Sequence, residues 1–141
     1  MKRKERIEGA VYEQHYIYNL HYHLIWVTKY RKPVFTDDAL VQEMKDILQR
    51  EASMIDVTIE EMEVMPDHIH LLLSFKPKYA ITDVVKAFKG HSGRVFLKNH
   101  PEIKHDNFWG GHIWSHSYYV GSCGKMSRDV VEKYIRNQCS K

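Results

Sequence analysis

The run His68-Ile69-His70-Leu71-Leu72-Leu73-Ser74-Phe75 decides how the rest of this 141-residue chain is read. Side chains along a strand alternate between its faces, so Ile69, Leu71, Leu73 and Phe75 form one apolar row suited to packing on helices. His68 and His70 then project together from the opposite face, within reach of a single ion. Neutral imidazole is a good ligand for several divalent metals. A His-x-His triplet is by itself a weak signal in a chain with ten histidines. Its direction says more, because two imidazoles opposite a solid apolar row are poorly explained by packing.

Outward from this strand the chain alternates helix and strand patterns. Pro66-Asp67 makes a tight turn to a preceding strand marked by Ile55, Val57 and Ile59. The apolar parity of that strand shifts at Glu60-Glu61 onto Met62 and Val64, as a β-bulge would make it do. From Tyr16 to Lys29 a period of two places Tyr16, Tyr18, Leu20, Tyr22, Leu24 and Trp26 on one face. Asn19, His21, His23 and Lys29 take the other. A loop from Tyr30 to Thr36 follows. Asp37 or Asp38 then caps a helix with Leu40, Met44, Ile47 and Leu48 at helical spacing. A second helix, Ile81 to Leu97, buries Val84, Val85, Phe88, Val95 and Phe96. Beyond a loop at Asn107 to Gly111 come an extended segment, Ile113 to Val120, a hinge-like break at Gly121 to Gly124, and a last helix over about 127–138.

The order β-α-β-β-α-β with an added helix predicts an α+β, ferredoxin-like (RRM-like) fold: an antiparallel sheet with helices on one face and the other face open. Residues 1–13 read as a flexible arm and 14–141 as a single domain.

On the last helix Tyr134 and Gln138 are four residues apart and share a face. A phenol attacks a phosphate once it is deprotonated or the phosphate is polarised by a metal, and a glutamine oxygen suits a hard cation. Spacing alone favours a different reading, a core aromatic beside Val130, Val131 and Ile135. Lys86, Lys89 and Arg94, with Gly90 and Gly93, line one side of the second helix. A phosphate backbone could approach such a face closely, and a merely solvated surface fits the pattern equally well. Tyr30 and Arg31 are further candidate DNA contacts, and Tyr30, Phe35 and Trp109 are candidate platforms for unpaired bases. Glu61 and Glu63 either approach the histidine pair or form surface salt bridges.

An apolar fraction of 43% and 12% aromatic residues belong to a folded domain long enough to bury a core. No apolar run approaches the roughly 20 residues that cross a bilayer, and the basic N-terminus is not followed by an export signal. Cys123 and Cys139 show no metal-type or disulfide spacing, so a reduced cytoplasmic protein is expected. The net charge of +3 permits nucleic acid as a partner without demanding it.

Taken together the motifs resemble a known family. Tyr22-His23-Leu24-Ile25-Trp26 with Lys29-Tyr30-Arg31, the stretch Glu63 to Leu73, Phe108-Trp109-Gly110-Gly111 with Trp114 and Ser117-Tyr118, and Lys133-Tyr134-Ile135 with Gln138 are similar, in this order, to motifs of the single-tyrosine HUH transposases of the insertion-sequence 200/605 family. The resemblance implies that Tyr134 is the nucleophile and that His68, His70 and Gln138 hold Mg²⁺ or Mn²⁺, with no nucleotide cofactor. It implies single-stranded DNA hairpins as substrates, a 5′-phosphotyrosine intermediate, and a homodimer whose active sites are shared between subunits. A catalytically inactive or domesticated hairpin-binding protein of the same fold is the alternative.

Overall fold

The computed structural model describes residues 10–13, 17–18, 20–108, 110–122 and 128–137. Two short strands, β1 (Val11–Tyr12) and β2 (Ile17–Tyr18), pair antiparallel as a separate ribbon. The main elements are β3 (His21–Val27), α1 (Asp38–Met54), β4 (Val57–Met65), β5 (His68–Phe75), α2 (Ile81–Asn99), α3 (Pro101–Asn107), β6 (Tyr119–Ser122) and α4 (Arg128–Asn137). The four-stranded sheet has the order β4-β5-β3-β6 with every neighbouring pair antiparallel. That is the expected ferredoxin-like arrangement, with the first and third strands of the motif side by side at its centre.

Register fixes the two faces. Leu24 lies opposite Leu71 and Val120, and Trp26 opposite Ile69, so one face gathers Leu24, Trp26, Ile69, Leu71, Leu73 and Phe75. These residues share one buried cluster with Met44, Ile47 and Leu48 of α1 and Val84, Val85, Phe88 and Phe96 of α2. Both helices therefore cover the same side. The Asp37 carboxylate accepts from the Leu40 amide at 2.9 Å and starts α1. The register of β4 on β5 slips between Ile59 and Glu61, where the parity shift in the sequence placed a bulge.

The strand read from Tyr16 to Lys29 begins only at His21, because Ile17 and Tyr18 turn away to pair with Tyr12 and Val11. Val11 and Tyr12, within the expected arm, thus form a strand. The extended segment from Ile113 to Val120 is mostly irregular. Trp114 forms a single bridge with Thr28, and Ile113 and Trp114 turn into the core, so pairing resumes only at Tyr119. Gly121 and Ser122 continue that strand; the rest of the supposed hinge lies outside the described residues. Phe35 is 2% exposed, packed against Phe96 and Trp114, and cannot serve as a stacking platform. Nor is the second face of the sheet fully open. Ile25 and Val27 are buried on it, and Tyr134 of α4 lies against Tyr119, which shares that face with Ile25. No helix among the described residues is long and apolar enough to cross a membrane.

Candidate active site

On β5 burial alternates as the sequence suggests, with Ile69, Leu71, Leu73 and Phe75 buried and His68 and His70 half-buried on the other face. The turn before the strand sets the first imidazole. The Asp67 carboxylate accepts from His68 Nδ1 at 2.9 Å and from Arg31 Nε at 3.1 Å. Burial alone would raise the Asp67 carboxyl, but the hydrogen bonds and charges of His68 and Arg31 hold it below the ordinary carboxylate range. With Nδ1 turned to the Asp67 carboxylate, Nε2 is the His68 nitrogen that a metal would take. Arg31, expected to contact DNA, is thereby engaged with Asp67.

His70 has a neighbour that the sequence did not assign to the site. His23 of β3, only 8% exposed, brings its Nδ1 to 3.1 Å from His70 Nε2. Burial, and then the adjacent His23, push His70 below the usual imidazole value, so it is neutral near pH 7. Its Nδ1 stands 4.0 Å from Glu63 Oε2, and Glu63 lies opposite His70 in the strand pairing. Glu61 is on the same face, opposite Leu72. The period-two pattern had put His23 on this face, but only the register of β3 on β5 could show that it meets His70.

Imidazole nitrogens suit a divalent cation, and His68 Nε2 is placed for one, while His70 would have to exchange its Nε2 contact with His23 for the ion. The described residues do not complete its shell, for no three His, Cys, Asp or Glu side chains among them converge on one point. Gln138, expected as a third ligand, lies outside the described residues, as does Trp109.

Tyr134 is 8% exposed, and its hydroxyl is 2.9 Å from Ser117 Oγ. Burial pushes the phenol above its usual value, and the Ser117 hydrogen bond offsets this only in part. The phenol is thus protonated at rest. Its ring lies 6.1 Å from that of Tyr119, which pairs with Ile25 on the sheet face of His68 and His70.

The other candidates separate into two groups. Lys86, Lys89 and Arg94 line a groove of about 910 Å³ together with Lys98, Lys104 and His112. Lys89 is also tied into the structure, donating to the carbonyls of Ser115 at 2.6 Å and Ser117 at 3.2 Å, and burial lowers its pKa to about 8. Tyr30 is not part of this groove. It is 63% exposed on a turn where it and Arg31 both take positive φ, 60° and 52°, with the Thr28 hydroxyl bracing the turn on the Lys32 carbonyl.

Comparison with known proteins gives a consistent picture. The sequence profile of a family described as "Transposase IS200 like" matches residues 16–138. The ISDra2 transposase TnpA of Deinococcus radiodurans is 43% identical over 126 residues, 89% of either chain. The transposase for insertion sequence element IS200 of Salmonella typhimurium is 28% identical over 124 residues, 88% of this chain and 80% of its own. A crystal structure of a transposase from Deinococcus radiodurans R1 superposes with a TM-score of 0.83 at 41% identity, covering 91% of this chain and 97% of that one. A REP-associated tyrosine transposase bound to a REP hairpin shares the fold, with a TM-score of 0.53 at 12% identity over 94% of this chain and 67% of that one.

Proposed function

The chain belongs to the family of IS200-like transposases, and from that premise we propose that it cleaves and rejoins single-stranded DNA at hairpin-bearing element ends, with Tyr134 as nucleophile. The observation that carries this reading is that the Tyr134 ring lies beside Tyr119, whose strand position is on the same sheet face as His68 and His70. The hairpin-bound relative of the same fold supports a folded single strand as the substrate class.

His68, through Nε2, and His70 would hold Mg²⁺ or Mn²⁺, with Gln138 as the third ligand. When bound, the cation supplies positive charge to the scissile phosphate and offsets the negative charge that grows in the transition state. Asp67 orients the His68 ring, and His68 and Arg31 together hold the Asp67 carboxyl below its ordinary range. Because the Tyr134 phenol is not ionised in advance, its oxygen becomes nucleophilic only as its proton departs in the attack. Phosphorus gains the Tyr134 oxygen and loses the 3′ oxygen, which leaves as a hydroxyl carrying one proton. The product is a 5′-phosphotyrosine link. A 3′-hydroxyl from a second DNA end reverses the exchange, and since the link conserves the phosphodiester energy no nucleotide cofactor is consumed. Lys86, Lys89 and Arg94 line the surface suited to the phosphate backbone, and Tyr30 offers a ring to an unpaired base.

Covalent trapping tests the reading. Single-stranded oligonucleotides copied from the DNA flanking the gene, incubated with the protein and Mn²⁺, should yield a denaturant-stable adduct that disappears in Tyr134→Phe. Cleavage without an adduct would instead assign the histidines to a water nucleophile, and binding without cleavage would indicate an inactive relative. In a homodimer with shared sites, mixing Tyr134→Phe with His68→Ala subunits restores adduct formation. Failure of the mixture while the wild type reacts would place each site within one chain.

A further inference from the structure

The seat of the Tyr134 side chain is built from parts that the chemistry of cleavage does not require. The Tyr134 hydroxyl meets Ser117 Oγ at 2.9 Å, and its ring lies 6.1 Å from that of Tyr119. The Tyr119 ring in turn folds back along β6 over Gly121, where a Cβ would come within 3.0 Å of the Tyr119 phenol oxygen. Glycine is what leaves room for that ring. Ser117 precedes β6 and lacks ladder pairing, so the position of its backbone depends on other contacts. Lys89 supplies two of them, its ammonium donating to the Ser117 carbonyl at 3.2 Å and to the Ser115 carbonyl at 2.6 Å, while the Ser117 amide donates to Ser115 Oγ at 3.5 Å and the Ser115 amide is anchored on the Val27 carbonyl at 2.9 Å.

A buried side chain whose hydroxyl is held by Ser117 is not presented to a phosphate outside the protein. In-line attack requires an exposed oxygen with a lone pair directed at the phosphate. We propose that Ser117 and Lys89 are positioning residues for strand cleavage: Ser117 holds the Tyr134 hydroxyl in a resting seat, Lys89 fixes Ser117, and the hydroxyl must leave this seat before the reaction begins. The proposal rests on the reading of Tyr134 as nucleophile. Its sign is definite, since a contact that restrains the nucleophile slows the step it precedes, whereas a contact that aims it would speed that step. Lys89 also lines the basic groove, so the restraint and the candidate DNA surface share one ammonium group.

The test compares wild type, Ser117→Ala and Ser117→Thr in single-turnover adduct formation with flanking-sequence oligonucleotides and Mn²⁺. Loss of one hydrogen bond of ordinary net strength lowers the ratio of seated to free hydroxyl about fivefold. Ser117→Ala should therefore form adduct up to about fivefold faster with unchanged final yield, and Ser117→Thr, which keeps the hydroxyl, should follow wild type. A slower or equal rate in Ser117→Ala would overturn the proposal while leaving the nucleophile assignment intact; absence of adduct in the wild type would remove that assignment instead. A second measurement needs no DNA. Amide exchange over residues 133–137 should accelerate in Ser117→Ala and in Lys89→Met, with the double variant no faster than either alone. If Ser117→Ala does not fold, Lys89→Met decides, and unchanged exchange in that variant sinks the idea.

Discussion

Gly90 and Gly93 lie on the groove side of α2, where sequence alone groups them as a pair of small residues beneath a phosphate backbone. Their surroundings differ. A Cβ on Gly90 would meet nothing within 4 Å, while one on Gly93 would sit 3.1 Å from Ile113 Cγ2 and 3.2 Å from Trp114 Cδ1 and Nε1. Those neighbours have little freedom to yield. Both are buried, and Trp114 donates to Ser92 Oγ at 3.1 Å and packs edge-on against Trp26. Gly93 thus admits the 113–114 segment, and only Gly90 leaves space for a ligand. A helix-interior glycine costs about 0.5–1 kcal/mol relative to alanine, so Gly90→Ala should stabilise the fold by that amount. In Gly93→Ala the same gain competes with overpacking, typically about 1–3 kcal/mol, and the overpacking should win. Urea denaturation is expected to rank Gly90→Ala above wild type and wild type above Gly93→Ala. A Gly93→Ala variant more stable than wild type would show that Trp114 can move. The difference was not legible in the sequence because what Gly93 faces is set by a residue twenty positions later. His23 and Ser117 were hidden for the same reason: each acts through a side chain distant in sequence, on His70 and Tyr134.

At the scale of elements, the ends of α1 and α2 are joined by a cluster around Glu43. His100 Nε2 lies 2.7 Å from Glu43 Oε1, its Nδ1 lies 3.2 Å from Glu102 Oε1, and Asn99 donates to the other Glu43 oxygen at 3.3 Å. Burial would lower the His100 pKa, but the two carboxylates outweigh it and raise the group above its ordinary value. A histidine whose folded pKa is raised contributes stability that is fully present below about pH 6.5 and is lost as pH rises through the higher folded value. His70, shifted the other way, contributes a slope of opposite sign below about pH 6.5. The informative quantity is therefore the difference between wild type and Glu43→Gln. That difference in unfolding free energy should be largest at pH 6 and shrink toward pH 8; a difference independent of pH would mean that His100 is not charged in the folded protein. Elements with a strong internal pattern were legible: the alternation of β5, the parity shift of β4 and the Asp37 cap all appear where the sequence put them. Helix α3 was missed because none of its side chains is buried, which leaves no apolar period to read. The early part of the first strand was misread because Tyr16, Tyr18 and Leu20 continue its alternation while the backbone at Ile17 and Tyr18 pairs elsewhere.

For the whole molecule, a net charge of +3 is small, and its distribution matters more than its sum. Lys86, Lys89, Arg94, Lys98 and Lys104 line one groove, whereas the histidine face carries Glu61 and Glu63. A polyanion arriving at this surface is drawn to the groove and repelled from the sheet until a cation is bound there. Lys89 already donates to two carbonyls, which leaves four cationic side chains as candidates for phosphate contact. Each phosphate neutralised on a single strand contributes about −0.7 to the slope of log K against log salt, so binding should show a slope near −3. Replacing Lys86 and Arg94 together by glutamate should weaken binding and bring the slope to about −1 or less in magnitude. His68→Ala, which removes a candidate metal ligand outside the groove, should leave the slope unchanged. Fluorescence anisotropy with a labelled single strand, titrated between 50 and 300 mM salt in EDTA (roughly the range over which such slopes are measurable), gives all three values. The chelator matters, because a divalent cation at the histidine pair would add its own attraction and obscure the contribution of the groove. A slope that survives the double charge reversal would move the DNA path off α2 and onto the turn at Tyr30, the exposed aromatic beside Lys29 and Arg31.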